Sequence, residues 1–287
     1  MTMPGPDNPL GIDGIEFVEF ATAQPQALGA ALEAMGFRPT ARHRSREVLL
    51  YRQGPMNLIV NAHAEATADL ARPDRPAALA AIALRVRDAA VAWHHTLDLG
   101  AWEIPTRASA MELNIPGIHG VGDSLVYFVD RYADFSIYDV DFLPLPGADR
   151  HPPALAGLHY AGVVQAVGRD RTRDWIAFYG SLFGFSVRPP AGPAAGRISL
   201  ASPCGRFYVE LLEAPEALQG PDLSEDEALI RVALGAPEVP AATRALRERG
   251  VRFLDRDPRP LDDRRAVTQP VLGGVTFELV AAGPAAA

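Results

Sequence analysis

A single acid, Glu278, stands in the otherwise apolar stretch VTFELV (275–280). A carboxylate in such a strand needs a cation, a metal ion or a polar ligand to face, because an isolated buried charge is costly. Imidazole is scarce near it: the chain has seven histidines and none follows His159. His94 and His95 are neighbours on a helical stretch, where adjacent side chains diverge, so they read as a solvent-facing pair rather than as ligands. His43-Arg44-Ser45-Arg46 is a basic turn suited to a salt bridge or a subunit contact. Asp139 and Asp141 alternate in YDVDF (138–142), which predicts one shared strand face. Neither Asn114 nor His119 is assigned a role. The one cysteine, Cys204, excludes an internal disulfide framework and a cysteine-rich zinc site.

The elements that must position these residues follow from composition and periodicity. The chain has 287 residues, enough for one large domain or two ordinary ones. It is 48% hydrophobic and 22% charged, an ordinary globular balance. A net charge of −8 argues against non-specific nucleic-acid binding. No apolar run is long enough to cross a bilayer, and MTMPGPDNPLG lacks a charged-then-apolar leader pattern, so a cytoplasmic protein is expected. The Ala, Arg and Pro content suggests a high-GC bacterial coding sequence.

GIEFVEFA (14–21), EVLLYRQ (47–53) and MNLIVNA (56–62) read as strands, with a helix over PQALGAALEAMG (25–36). AAIALRV (80–86), ELNIPGI (112–118), SLVYFVD (124–130) and IYDVDFLPL (137–145) read as further strands, with a helix over 88–100. After a Pro- and Gly-rich stretch the pattern returns: YAGVVQAV (160–167), a helix over RTRDWIAFYGSLFG (171–184), then strands RISLASP (197–203) and RFYVELLEA (206–214). ALIRVAL (228–234), a helix over 238–250, VRFLD (251–255), RRAVTQPVL (264–272) and VTFELVA (275–281) close it. LEAMGFR (32–38) echoes YGSLFGF (179–185), and LGAWEI (99–104) echoes RGVRFL (249–254). Each half is thus predicted to hold two βαβββ modules whose strands curve around a cleft. The expected boundaries are a first domain at 10–146, a linker at 147–156 and a second domain at 157–282.

This arrangement resembles the vicinal-oxygen-chelate superfamily, and within it the 4-hydroxyphenylpyruvate dioxygenase family. GIEFVEFA, RHRSREVLLYRQGPMNLIVNAHAE (42–65), MELNIPGIHGVG (111–122) and YFVDRYADFSIYDVDF (127–142) resemble that family's amino-terminal domain. QAVGRDRTRDWIAFYGSLFGF (165–185) looks most like the dioxygenase-like domain appended to some bacterial 3-dehydroshikimate dehydratases. The resemblance implies an α+β fold of tandem modules forming two open barrels. It also implies Fe(II), dioxygen and an α-keto acid, with iron held by two His and one Glu of the second half. Carried over residue by residue, the Glu falls on Glu278, one His on Arg231 of "RVA" and the other on Gly162 of "HYAGVV". His159 lies three residues before Gly162, an odd offset that turns it to the opposite strand face.

Arg231 is harder to reconcile with iron than a missing ligand. A guanidinium about 5 Å from a divalent ion costs roughly 7 kcal/mol at an effective dielectric near 20, and arginine stays protonated. Arg231 is therefore expected to pair with Glu278, or to bind an acid group directly. Asp139 is read as the first-half counterpart of Glu278, with Phe17 and Ala81 at the other two ligand positions. Gln165, shared with the dehydratase-linked type, is a candidate ligand contact or, equally, a structural amide. Leu211 and Leu212 are expected to wall an apolar pocket, and no counterpart of the family's closing helix follows Glu278.

The expected function is that of a family member without the Fe(II) chemistry, needing no cofactor, that binds a small aromatic or hydroaromatic acid or serves as an accessory subunit. One alternative is an active dioxygenase using Fe(II) on an aromatic α-keto acid. Another is a metal-free acid–base enzyme using Arg231 and Glu278. A homo-oligomer is expected, and a separate dehydratase chain is a candidate partner.

Overall fold

The computed structural model describes residues 7–63, 75–105, 112–122, 124–133, 135–189, 197–213, 227–255, 263–272 and 274–281. It is an α+β protein with two mixed sheets. The first module runs β1 (Ile15–Thr22), α1 (Pro25–Ala34), β2 (Arg38–His43), β3 (Val48–Gln53) and β4 (Met56–Asn61). The second runs β5 (Ala77–Arg85), α2 (Ala89–Asp98), β6 (Gly117–His119) and β7 (Leu125–Val129); a short α3 (Ile137–Asp141) and β8 (Phe142–Pro144) follow it, and β8 pairs with β2 of the first module. The third comprises β9 (His159–Val167), α4 (Thr172–Phe183), β10 (Ser186–Val187), β11 (Arg197–Ala201) and β12 (Tyr208–Glu213). The fourth comprises β13 (Ala228–Ala236), α5 (Val239–Glu248), β14 (Arg265–Val267) and β15 (Thr276–Ala281).

Sheet order is β6-β7-β5-β1-β4-β3-β2-β8 in the first half and β10-β11-β12-β9-β13-β15-β14 in the second, so both sheets are open. One rule recurs in every module: its first strand pairs in parallel with its last. A parallel pair needs a crossover, and the module's helix supplies it. Helix ends are set locally. Asp88 caps α2, its carboxylate accepting from the Val91 amide at 2.9 Å. Gly184 ends α4 in the left-handed region at φ 75°, where its amide and that of Phe185 reach back to Gly180 and Tyr179.

Contacts gather the chain into two compact units, each combining one module from either half. The first takes residues up to Glu16, Ala81–Ile137 and Gly162–Leu229; the second takes Phe17–Ala80, Tyr138–Ala161 and residues from Ile230 on. The first unit's core is an aromatic cluster in which Tyr179, Phe183, Phe185 and Phe207 follow one another at ring separations of 5.5–6.3 Å. The second buries Leu28, Leu32, Met56 and Leu58 completely and packs Phe20 against Phe277, centroids 6.0 Å apart. Each such side chain contributes about 1.5–3 kcal/mol.

Three strand expectations fail. Residues 137–141 form α3, not the start of a strand, so Asp139 and Asp141 do not share a strand face. A five-residue YDVDF alternation is too short to separate the two periods, and pairing with β2 begins only at Phe142. Of 112–118 only Gly117 and Ile118 are stranded, in β6, and 251–255 keeps a single bridge, Phe253 to Thr268. Residues 147–156 carry no helix or strand before a short 3₁₀ turn begins at Leu155, and they dock on the first module: the Gly54 amide donates to Pro152 O at 2.8 Å.

Candidate functional site

In the fourth module, β13 and β15 are parallel with Arg231 opposite Thr276 and Ala233 opposite Glu278. β14 runs antiparallel on the far side of β15, with Val267 opposite Glu278 and Arg265 opposite Val280. Side chains alternate along a strand, and residues opposite one another share a face. Arg231, Glu278 and Arg265 therefore emerge on one face of three adjacent strands.

Their contacts are direct. Arg231 Nη1 donates to Glu278 Oε2 at 3.1 Å, and Arg265 Nη2 donates to the same oxygen at 2.9 Å. Glu278 is fully buried, and Arg231 and Arg265 are 8% and 3% exposed. Burial pushes the Glu278 carboxyl up, but the charges and hydrogen bonds of Arg265 and Arg231 outweigh it, and the net shift is downward. The carboxylate is thus ionised and oriented by two cations. The trio carries two positive charges and one negative.

Arg265 was not singled out from the sequence. Its signal was available: it alternates with Val267 on a strand that folds back on the Glu278 strand. RRAVTQPVL reads as one long strand, however, and β14 spans only Arg265–Val267, so the register could not be counted back from Glu278.

The remaining expected residues fall elsewhere. Gly162 lies on β9 opposite Tyr208 of β12. A β-carbon at residue 162 would overlap the Tyr208 carbonyl oxygen, so the backbone closes the space a side chain would need. His159 is held with Nδ1 3.2 Å from Gly157 O, and its ring fills the space over Gly235, where a β-carbon would collide with it.

Gln165 lies further along β9. It is fully buried opposite Leu211, on the face of β9 turned away from Gly162, and Tyr179 of α4 donates to its Oε1 at 2.8 Å. Burial raises the Tyr179 phenol, which therefore stays a donor. The amide anchors the helix to the sheet and does not face the strand side expected to hold a ligand. Leu211 and Leu212 likewise point to opposite faces and form no common wall.

Asp139 is a correction. β7, not residues 137–141, occupies beside β5 the place that β15 occupies beside β13. Asp139 sits on α3 with Arg150 Nη2 3.3 Å away. A further buried pair, Arg197 with Glu210, joins β11 to β12 on the Gly162 face. His94 is exposed and contacts Trp93, ring centroids 4.8 Å apart. Among the described residues no three His, Cys, Asp or Glu side chains stand close enough to share a metal ion, and no helix is long and apolar enough to cross a membrane.

The family description "Hydroxyphenylpyruvate dioxygenase, HPPD, N-terminal" matches residues 6–143. A 4-hydroxyphenylpyruvate dioxygenase of Pseudomonas sp. (strain P.J. 874) is 41% identical over 181 residues, 62% of this chain and 50% of the relative, so the match spans half of that relative's length. The Pseudomonas aeruginosa 4-hydroxyphenylpyruvate dioxygenase is 34% identical over 265 residues, covering 86% of this chain and 72% of that protein. A 3-dehydroshikimate dehydratase of the same organism is 33% identical over 268 residues, 88% of this chain and 42% of the dehydratase. In fold, the chain superposes on a xylose isomerase-like TIM barrel/4-hydroxyphenylpyruvate dioxygenase fusion protein with a TM-score of 0.78 at 23% identity, covering 100% of this chain and 51% of the other. With its paired-module sheets and this extent of likeness, the chain belongs to the 4-hydroxyphenylpyruvate dioxygenase family of the vicinal-oxygen-chelate fold.

Proposed function

We propose that this family member works without the family's Fe(II) chemistry and binds a small aromatic or hydroaromatic acid, with Arg231 and Arg265 as the anchoring cations. The observation that carries this reading is the occupied carboxylate: both guanidiniums converge on Oε2 of Glu278, the one acid at the family's ligand positions. The donor set does not fit iron. Gly162 offers no ligand atom and no room for one, Arg231 is a permanent cation, and a divalent ion beside Glu278 would meet two positive charges. The same two guanidiniums suit a carboxylate, which accepts parallel hydrogen bonds from a planar donor fork.

Acid–base catalysis by Glu278 is disfavoured by the direction of its shift. A general base works best with a pKa near the operating pH, and this one is held below the ordinary carboxylate range. Anaerobic iron loading followed by metal analysis and oxygen uptake on an arylpyruvate tests the reading. Sub-stoichiometric iron and no oxygen uptake are expected, together with calorimetric binding of an arylpyruvate, measured in an Arg44→Gln background, that a further Arg231→Met abolishes. Stoichiometric iron with turnover overturns it.

A further inference from the structure

The first module carries a second cationic site that the family reading does not use. A cavity of about 210 Å³ opens between β2, β3 and the α3–β8 segment. Three guanidiniums line it, Arg44, Arg52 and Arg150, against one carboxylate, Asp139. This is a local excess of positive charge on a chain whose net charge is −8. The walls are aromatic: Tyr138 and Phe142 meet edge to face with centroids 5.7 Å apart.

Arg52 is fixed in advance. Its Nε donates to Asn57 Oδ1 at 2.9 Å, its Nη1 to Arg150 O at 3.2 Å, and its guanidinium carbon lies 4.9 Å from the Tyr138 ring centroid. Such a fork holds its geometry before a ligand arrives and loses less entropy on binding. Arg150 is paired with Asp139 at 3.3 Å on the rim. Arg44 is exposed, and among the described residues its side chain has no ion-pair partner. An oxyanion entering the cavity meets one anchored and one exposed guanidinium, while a flat ring fits beside Tyr138 and Phe142. An apolar cavity of about 150 Å³ takes benzene, so this volume suits one ring bearing a small acid group.

We propose that this cavity is a binding site for a small single-ring carboxylate, separate from the Arg231 cluster. Calorimetric titration of the full chain at low salt with benzoate, cyclohexanecarboxylate, acetate and inorganic phosphate tests it. Benzoate and cyclohexanecarboxylate are expected to saturate, with acetate and phosphate about tenfold weaker or more, because they lack the ring contact. Arg44→Gln, at an exposed turn, is expected to weaken benzoate about tenfold, the loss of one charged hydrogen bond. Arg52→Lys keeps the charge and removes the fork, and should weaken benzoate as well. The proposal is overturned if benzoate shows no saturable binding, if Arg44→Gln binds it as tightly as the parent, if phosphate matches benzoate, or if the isotherm depends on Arg231 and not on Arg44.

Discussion

Two arginine clusters in this chain meet their acid in opposite ways. In the fourth module Glu278 is wholly buried, and two arginines no more than 8% exposed close on one of its oxygens. Beside the first module Asp139 and Arg150 are part of a rim, their side chains 36% and 57% exposed, around an open cavity. The same residue types therefore carry different energies. Removing a partner from a buried ion cluster leaves an unmatched charge in a poorly polarisable place, whereas the rim pair is screened by water.

The sharpest way to break the contrast is to delete the buried acid. Glu278→Gln leaves Arg231 and Arg265 facing each other across a neutral amide and should destabilise the fold by about 3–5 kcal/mol, read as a lower urea midpoint. Arg265→Met should cost less than Glu278→Gln, since Arg231 still holds the carboxylate. A milder loss for Glu278→Gln than for Asp139→Asn would erase the distinction.

Backbone space gives the next effect. Gly162→His restores a family ligand type, yet its β-carbon has the Tyr208 carbonyl in its way. A cost of about 1–3 kcal/mol is expected, the range for overpacking, with no gain in iron retention by metal analysis. Iron bound at one equivalent by this variant would show that the strand yields and that Arg231 tolerates the ion.

How far the site was legible follows from these residues. Glu278 and Arg231 could be placed together because both sit in strands whose wording and period are clear, and parallel pairing of a module's first and last strands puts them side by side. Arg265 was hidden by an irregular hairpin, since a register error of one residue exchanges the two faces of a strand. Gln165 could be read either as a ligand contact or as a structural amide, because its type is compatible with both; its offset of three from Gly162 puts it on the opposite face of β9, beside Tyr179. Asp139 misleads because a five-residue alternation of apolar and acidic residues fits a strand as well as the helical turn it forms. The fold survives such local errors because four repeated modules each report the same pattern, whereas a site rests on single residues.

The pH dependence of stability isolates the buried cluster. The folded-state pKa of Glu278 lies below its ordinary value of 4.5. A depressed carboxyl contributes stability that is fully present above the unfolded-state value and is lost as pH falls through the folded one. The parent should therefore lose stability from about pH 4.5 downward more steeply than Glu278→Gln, whose amide does not titrate. Parallel pH profiles for the two proteins would mean that Glu278 is not held ionised by its arginines.

The smallest effect tests the sheet's other face. Gln165→Leu removes the acceptor for Tyr179, a buried phenol, and should cost about 1–2 kcal/mol in denaturant unfolding. Because the amide points toward α4, acid binding that depends on Arg231 should be unchanged in this variant at matched folded concentration. A selective loss of affinity with stability intact would place Gln165 at the ligand.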